Sequence, residues 1–421
     1  MNKFGAVFSG QGTQYHGMGR SICQKYKIAD DIFNHANEIL GMNIKNIMFS
    51  GDERELNNTS TTQPAVLLYS FALFKIFEQE YDIRPTVFAG HSLGEYTALT
   101  CAGAIPFDTA LKMVKLRGNL MDNCSVKGSM AAVIGGHIDD LLEYCEKYSD
   151  EEHILTVSNY NSSNQSVLSG DKNLVKDAAE YFETQGLSTK QLNVSGAFHS
   201  PMMKSAQSEL EKAINNCEFI FPDNKVISNI DGRPYTNVED IKCKLVKQLT
   251  LPVKWVDVMK YFSKEQINTV IEFGPKNTLS KFFLNDGFKL RTFSIDIKED
   301  CDKLKNFDDN KETKVEQLEE LRDRCLSIVA CTHNYNQNSV DYEKEVILPC
   351  RELREKSYFF YSAEEYESEA KQLLKTLLCI LVIKGIPDYE IDSRMQILGA
   401  NCNSSLLYKV ICEVISERNI L

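Results

Sequence analysis

The sequence predicts an α/β protein of several units: a large α/β-hydrolase-like domain on a parallel sheet, a ferredoxin-like subdomain inserted into it, and a helical C-terminal extension. Three observations carry this expectation. A chain of 421 residues is too long for one ordinary core. Its first part alternates extended apolar runs with amphipathic ones, the rhythm of helices laid on a mostly parallel sheet. And Gly90-His91-Ser92-Leu93-Gly94 lies between an extended run and a helical one, where a sharp turn lifts a serine into an exposed, strained position.

Taken in order, residues 4–8 read as a strand and are followed by a glycine-rich loop. Residues 64–79 read as an amphipathic helix, 86–89 as the strand that leads into Ser92, and 96–101 and 108–121 as helices. Between Met130 and Val194 the rhythm changes. Strands are expected at 130–134, 154–159, 166–169 and 188–194, with helices at 139–147 and 173–185, a β-α-β-β-α-β order that defines the ferredoxin-like pattern. Residues 128–196 therefore form a small subdomain between two pieces of the large one, 1–127 and 197–290, and the cleft between them is the natural substrate site. Residues 291–315 turn charged and polar, as in a surface linker. The extension, 316–421, is helical: Ser362-Ala363-Glu364-Glu365 reads as a capping box, and Leu373, Leu374, Leu377, Leu378 and Leu381 share one face before Gly385 and Pro387.

Composition excludes several classes. The N-terminal apolar run is too short for a signal peptide and no segment offers about 18 uncharged apolar residues, so a membrane role is not expected and the protein reads as cytoplasmic. Thirteen cysteines without a Cys-x-x-Cys pair or Cys/His cluster argue against zinc and against a disulfide framework; reduced, mostly buried thiols are expected. A net charge of −12 disfavours nucleic acid, which needs clustered Lys and Arg. Gly10-Gln11-Gly12 is too short and wrongly spaced for a dinucleotide fingerprint.

Ser92 is the candidate covalent acyl carrier, with flanking glycines that leave room for substrate and a helix N-terminus suited to an oxyanion. A serine nucleophile needs a base. Of seven histidines, His199 is best placed, where the insert returns to the large domain; an imidazole with a pKa of about 6.5 can take the serine proton and return it to a leaving thiol. His91, next to the nucleophile, is expected to point away across the turn.

Phe8-Ser9-Gly10-Gln11-Gly12, Gly90-His91-Ser92-Leu93-Gly94-Glu95, Arg117 within Lys115-Leu116-Arg117-Gly118, Gly128-Ser129-Met130-Ala131-Ala132, Gly196-Ala197-Phe198-His199-Ser200 and Glu272-Phe273-Gly274-Pro275 occur in order. Together, over about residues 1–290, they resemble the malonyl-CoA:acyl-carrier-protein transacylase family, including the acyltransferase domains of polyketide synthases. The resemblance implies Ser92 as the acylated serine, His199 as its partner, and the amides of Gln11 and Leu93 as the oxyanion hole. It implies Arg117 as the grip on the malonate carboxylate, Gln63 in the pocket, Phe198 as the malonyl-selecting aromatic, and Gln248 orienting the histidine through its carbonyl. No metal or tightly bound cofactor is implied. The substrate is malonyl-CoA and the partner an acyl carrier protein or a carrier domain of polyketide synthase modules. The physics agrees: a buried carboxylate needs a partner, and a guanidinium fork binds it bidentately.

The tail, from Leu318-Glu319-Glu320 through Ala330-Cys331-Thr332-His333 to Lys384-Gly385-Ile386-Pro387, resembles the extension of free-standing enzymes that serve polyketide synthases in trans. A fainter likeness of Ser404-Ser405-Leu406 to a carrier attachment site would place a phosphopantetheine arm on Ser405, against an ordinary packed helix. An acidic carrier would dock on Lys242, Lys244 and Lys247, or on Lys276 and Lys281. The rival functions are a housekeeping fatty-acid transacylase, an acyl hydrolase of similar fold that needs no carboxylate clamp, a more distant α/β-hydrolase esterase, and a noncatalytic docking protein.

Overall fold

The computed structural model of the chain describes residues 4–81, 83–124, 128–307, 314–336, 342–356, 363–402 and 404–418. They fold as two compact units, one of Asn2–Phe77 with Pro85–Asn306 and one of Glu78–Arg84 with Phe307–Leu421. Among the described residues no helix is long and apolar enough to cross a membrane.

The first unit begins with β1 (Phe4–Phe8), followed by short helices α1 (Arg20–Lys25), α2 (Lys27–Leu40), α3 (Ile44–Ser50) and α4 (Glu53–Leu56), then α5 (Thr59–Tyr81), β2 (Val87–Gly90), α6 (Leu93–Cys101) and α7 (Phe107–Asp122). The insert is β3 (Gly128–Ile134), α8 (Ile138–Tyr148), β4 (Leu155–Ser162), β5 (Gln165–Asp171), α9 (Lys172–Thr184) and β6 (Ser188–Gln191). The large subdomain resumes with α10 (Lys204–Asn215), β7 (Lys225–Ile227), α11 (Val238–Lys247), α12 (Trp255–Lys264), β8 (Thr269–Phe273), α13 (Thr278–Asn285), β9 (Arg291–Ser294) and α14 (Lys298–Phe307).

The large sheet has the order β7-β2-β1-β8-β9 and every pairing in it is parallel. Its central strands are buried at every residue, as a sheet covered on both faces by helices requires. Phe8 stacks between Phe88 and Phe273 across this core. The insert is a four-stranded antiparallel sheet of order β4-β5-β3-β6, packed by Leu141, Cys145, Val175 and Phe182 from α8 and α9. Tyr160 N–H donates to the Val253 carbonyl and Val253 N–H to that of Ser158, tying the insert to the large subdomain. The loops after β1 and β2 leave the carboxyl ends of parallel strands, where sites form in open α/β sheets.

Several expectations are corrected. Residues 291–307 are not linker: β9 is the edge strand of the large sheet and α14 follows it; only residues 308–313 lie outside the description. The helix expected from Pro64 starts at Thr59, because Thr62 Oγ1 bonds the Leu56 carbonyl and Asp122 accepts from Ser60 N–H, holding a turn ahead of the proline. β6 ends at Gln191, not Val194; Val194 N–H turns back to the Leu192 carbonyl and the chain peels away. All thirteen cysteines lie outside disulfides, but only Cys101, Cys145 and Cys325 are buried.

The second unit carries α15 (Lys314–Cys331), α16 (Leu348–Glu355), α17 (Ala363–Ile383), α18 (Asp388–Ala400) and α19 (Ser405–Arg418). Leu373, Leu374, Leu377 and Leu381 of α17 are buried in its core, Leu378 packs at the edge, and Gly385, at φ 73°, ends the run. Ser362 of the expected capping box lies outside the described residues. Ser404 is the buried cap of α19, its hydroxyl accepting from Leu407 N–H; the side chain of Ser405 is not among those described.

Candidate active site

Ser92 ends the turn between β2 and α6 with φ 52° and ψ −103°, a conformation that costs a non-glycine residue about 1–3 kcal/mol. What holds it there is packing. A Cβ on Gly90 would lie 1.9 Å from the Gly94 carbonyl oxygen, and one on Gly94 would lie 2.1 Å from that of Phe8. The two glycines are therefore needed to seat α6 against β1 and the turn; room for substrate, the reason expected from the sequence, is not what fixes them.

His199 also has positive φ, 57°, in the loop between the insert and α10. Ser169 Oγ donates to the Phe198 carbonyl and Ser200 Oγ to that of Ala197, pinning the loop on both sides of the imidazole. The ring is 4% exposed. Its Nδ1 bonds the Gln248 carbonyl at 2.7 Å; a carbonyl can only accept, so Nδ1 carries the proton and Nε2 presents a lone pair to Ser92 Oγ, 2.7 Å away. Burial, then the nearby Arg117 charge, holds the imidazole down at about 3, so it is neutral at ordinary pH and free to accept a proton.

Arg117 comes from α7 and is 1% exposed. Its Nη2 donates to Ser92 Oγ at 3.1 Å and to Gln248 Oε1 at 2.9 Å, while Nε, also buried, has no hydrogen-bond partner among the described residues. A buried guanidinium with an N–H left over beside a serine hydroxyl has the chemistry to bind an anion. Gln63, fully buried, donates through Nε2 to Gln11 Oε1 at 3.4 Å, and its own Oε1 has no partner among the described residues. Gln11 follows β1 and Leu93 opens α6; neither main-chain amide donates to a backbone acceptor outside the regular elements.

Ser92, His199, Gln11 and Phe198 line a cleft of about 270 Å³. Its other wall comes from the insert, including Asn159, Asn161 and Gln165, and from Leu192 and Val194 where the chain leaves β6. Arg117, Gln63 and Gln248 stand buried behind that lining. His91 faces the insert, bonding Asn161 Oδ1 at 2.8 Å, and does not bond Ser92 Oγ. Of the two basic sets, the first is mostly engaged: Lys244 sits between Asp231 and Asp240, and Lys242 donates to the Cys217 carbonyl. Lys276 and Lys281 are exposed and flank Thr278 and Leu279, which line the cleft.

Two residues that sequence reasoning did not single out are central. Asn229 Oδ1 accepts from Ser92 N–H at 2.6 Å and its Nδ2 donates to the Gly90 carbonyl at 2.7 Å. Glu95, 1% exposed, accepts from Gln248 Nε2 at 2.5 Å. Only the Ser228-Asn229-Ile230-Asp231-Gly232 turn signal marked the first, and the second read as the tail of a serine motif.

Comparison with known proteins decides the family: the acyl transferase domain family matches residues 6–300. A malonyl CoA-acyl carrier protein transacylase of Bacillus subtilis is 33% identical over 390 residues, covering 89% of this chain and 98% of the relative. The chain belongs to the malonyl CoA-acyl carrier protein transacylase family. It is thus an acyltransferase. The polyketide biosynthesis transacylase PksC of Bacillus subtilis (strain 168) is 38% identical over 276 residues, 65% of this chain and 93% of that one. A solved type II PKS acyl-carrier protein in complex with its malonyl-transacylase aligns with a TM-score of 0.70 at 31% identity, covering 72% of this transacylase family member and all of that chain.

Proposed function

We propose that the protein moves malonyl groups from malonyl-CoA to the phosphopantetheine thiol of an acyl carrier protein, by a two-stage mechanism on Ser92. The observation that carries this is the Arg117 guanidinium beside Ser92 Oγ with its buried Nε unpartnered. A malonyl thioester brings the carboxylate that this group lacks; an acetyl thioester does not.

In the first stage Ser92 Oγ attacks the thioester carbon as its proton passes to His199 Nε2. The oxyanion is held by the amides of Gln11 and Leu93, and Phe198 closes the space around C2. The carbon–sulfur bond breaks, and the imidazolium returns its proton to the departing CoA sulfur. The second stage repeats these steps with a carrier thiol as nucleophile and Ser92 as leaving group. Gln248, through its carbonyl, keeps the imidazole in the tautomer that both stages need. Lys276 and Lys281, exposed on either side of the cleft-lining Thr278 and Leu279 in the chain, offer positive charge to an acidic carrier. The arrangement routes no step through a metal.

The carrier served is proposed to belong to a polyketide pathway, with this enzyme acting in trans. The likeness to PksC supports this. Intact mass after incubation with malonyl-CoA or acetyl-CoA tests the chemistry. A malonyl adduct that is absent in Ser92→Ala and weakened in Arg117→Ala is expected; steady CoA release without an adduct would mean a hydrolase. Transfer from the adduct to isolated polyketide synthase carrier domains against a fatty-acid-synthesis carrier tests the pathway, and a preference for the latter would make the enzyme a housekeeping one.

A further inference from the structure

We infer that Glu95 is a positioning residue that sets the nucleophile, the base and the clamp together, through Asn229 on one carboxylate oxygen and Gln248 on the other. The inference rests on the Ser92–His199 reading above. Glu95 lies in the first turn of α6. Its Oε1 accepts from Asn229 N–H at 3.0 Å and from the Tyr235 hydroxyl at 2.5 Å; its Oε2 accepts from Gln248 Nε2 at 2.5 Å.

Each arm reaches the reacting groups in one more bond. Asn229 holds the Ser92 amide and the Gly90 carbonyl, so it grips the strained turn on both sides. Gln248 accepts from His199 Nδ1 on its main-chain carbonyl and from Arg117 Nη2 on its side-chain oxygen, while Nε2 also donates to the Ser92 carbonyl at 3.0 Å. An ionised carboxylate only accepts, as does the Ser92 carbonyl, so the two together fix which way the Gln248 amide lies: NH2 toward them, oxygen toward Arg117. The opposite orientation would aim two N–H donors at the guanidinium. The charge on Glu95 thereby keeps Arg117 at Ser92, although the two residues need not touch.

The groups facing Glu95 are the Tyr235 hydroxyl, Ser228 and Asn229 from the segment between β7 and α11, Gln248 after α11, and, from α6 and α7, Tyr96 and the Arg117 cation. Burial pushes the carboxyl up to about 7, the donors around it notwithstanding. With His199 held at about 3, the group that changes charge near neutral pH is Glu95 and not the imidazole.

The test is the rate at which malonyl-CoA acylates the full-length protein, read by rapid-quench intact mass from about pH 5.5 to about pH 8.5. The deprotonated form is the competent one, so the wild-type rate should fall about tenfold per unit below about pH 7. Glu95→Gln keeps the shape and cannot ionise; its rate should be lower and lose this acid limb. Tyr235→Phe touches no reacting atom but removes a donor to the carboxylate, so the limb should move to higher pH. A wild-type limb retained in Glu95→Gln, or an unmoved midpoint in a Tyr235→Phe protein that melts as a folded one, overturns the inference. If Glu95→Gln does not fold, the Tyr235→Phe midpoint alone decides. Failure of the wild type to form any adduct at about pH 8 would instead overturn the nucleophile reading itself.

Discussion

Arg117 is paid for in advance: a cation is held in a place almost closed to water, bonded through Nη2 to a serine and an amide, with its buried Nε–H left over among the described residues. Arg117→Ala should lower kcat/KM for malonyl-CoA by about 100-fold or more, since at least one charge-assisted hydrogen bond of about 1.5–3 kcal/mol and the opposing charge are lost. The same change should leave acylation by acetyl-CoA much less affected; parallel rate measurements with the two thioesters check this. Phe198→Ala opens the cleft beside C2, and competition between malonyl-CoA and methylmalonyl-CoA should shift toward the latter by about 10-fold, within the about 1–3 kcal/mol that one methyl can discriminate. The buried titrating pair also shapes stability. His199 sits far below its usual value when folded, so the fold loses stability as pH falls through the window from about 6.5 to about 3. Glu95 is raised to about 7, so its contribution is present at low pH and is lost as pH rises from about 4.5 to about 7. The slopes oppose one another where the windows overlap. Glu95→Gln should therefore show a steeper fall in Tm between about pH 6.5 and about pH 4.5 than the wild type, and thermal melts at matched pH would show it.

At the scale of elements, the tightest constraint is the seating of α6. Gly94→Ala places a methyl 2.1 Å from a main-chain oxygen of β1 that cannot rotate away, and should destabilise the fold by about 3 kcal/mol, measurable as a lower denaturant midpoint. Of the strands that were legible, β1, β2 and β3 are almost all apolar, whereas β4 carries only Leu155, Val157 and Tyr160 and β5 only Val167 and Leu168 as large apolar residues. β9, Arg291-Thr292-Phe293-Ser294, carries a single large apolar side chain and lies at an edge, so its composition resembles the charged segment after it. Helices α1, α3 and α4 are four to seven residues long and give no periodic signal. Of the site, Ser92, His199 and Arg117 lie in the quoted motifs and Gln248 was implied by the resemblance; the four lie within one network. Glu95 and Asn229 were not, because a buried carboxylate and a turn asparagine acquire meaning only from the partners the fold brings to them. Of the two lysine sets offered for docking, the first has Lys244 met by Asp231 and Asp240, whose approach no local reading supplies.

For the whole molecule, a net charge of −12 means that attraction of an acidic carrier has to be local. Lys276→Glu with Lys281→Glu should slow transfer from the malonyl-enzyme to carrier by about 10-fold at low salt, and little at high salt, while self-acylation stays as in the wild type. Stopped-flow transfer rates at two ionic strengths distinguish this from general damage, which would slow both stages. The placement of β1 has a consequence of a different kind. It is the first strand made and the middle strand of the sheet, yet β2 lies at Val87–Gly90 and β8 at Thr269–Phe273. At about 5–20 residues per second, the stretch from the end of β1 to the end of β8 leaves this apolar segment without its second neighbour for about 13–53 s. The insert, whose strands follow one another closely, is able to fold during that wait. The nascent chain thus carries a finished small subdomain beside an open sheet edge, and Ser92, the proposed nucleophile one strand away, is not set until Asn229 and Gln248 have been made.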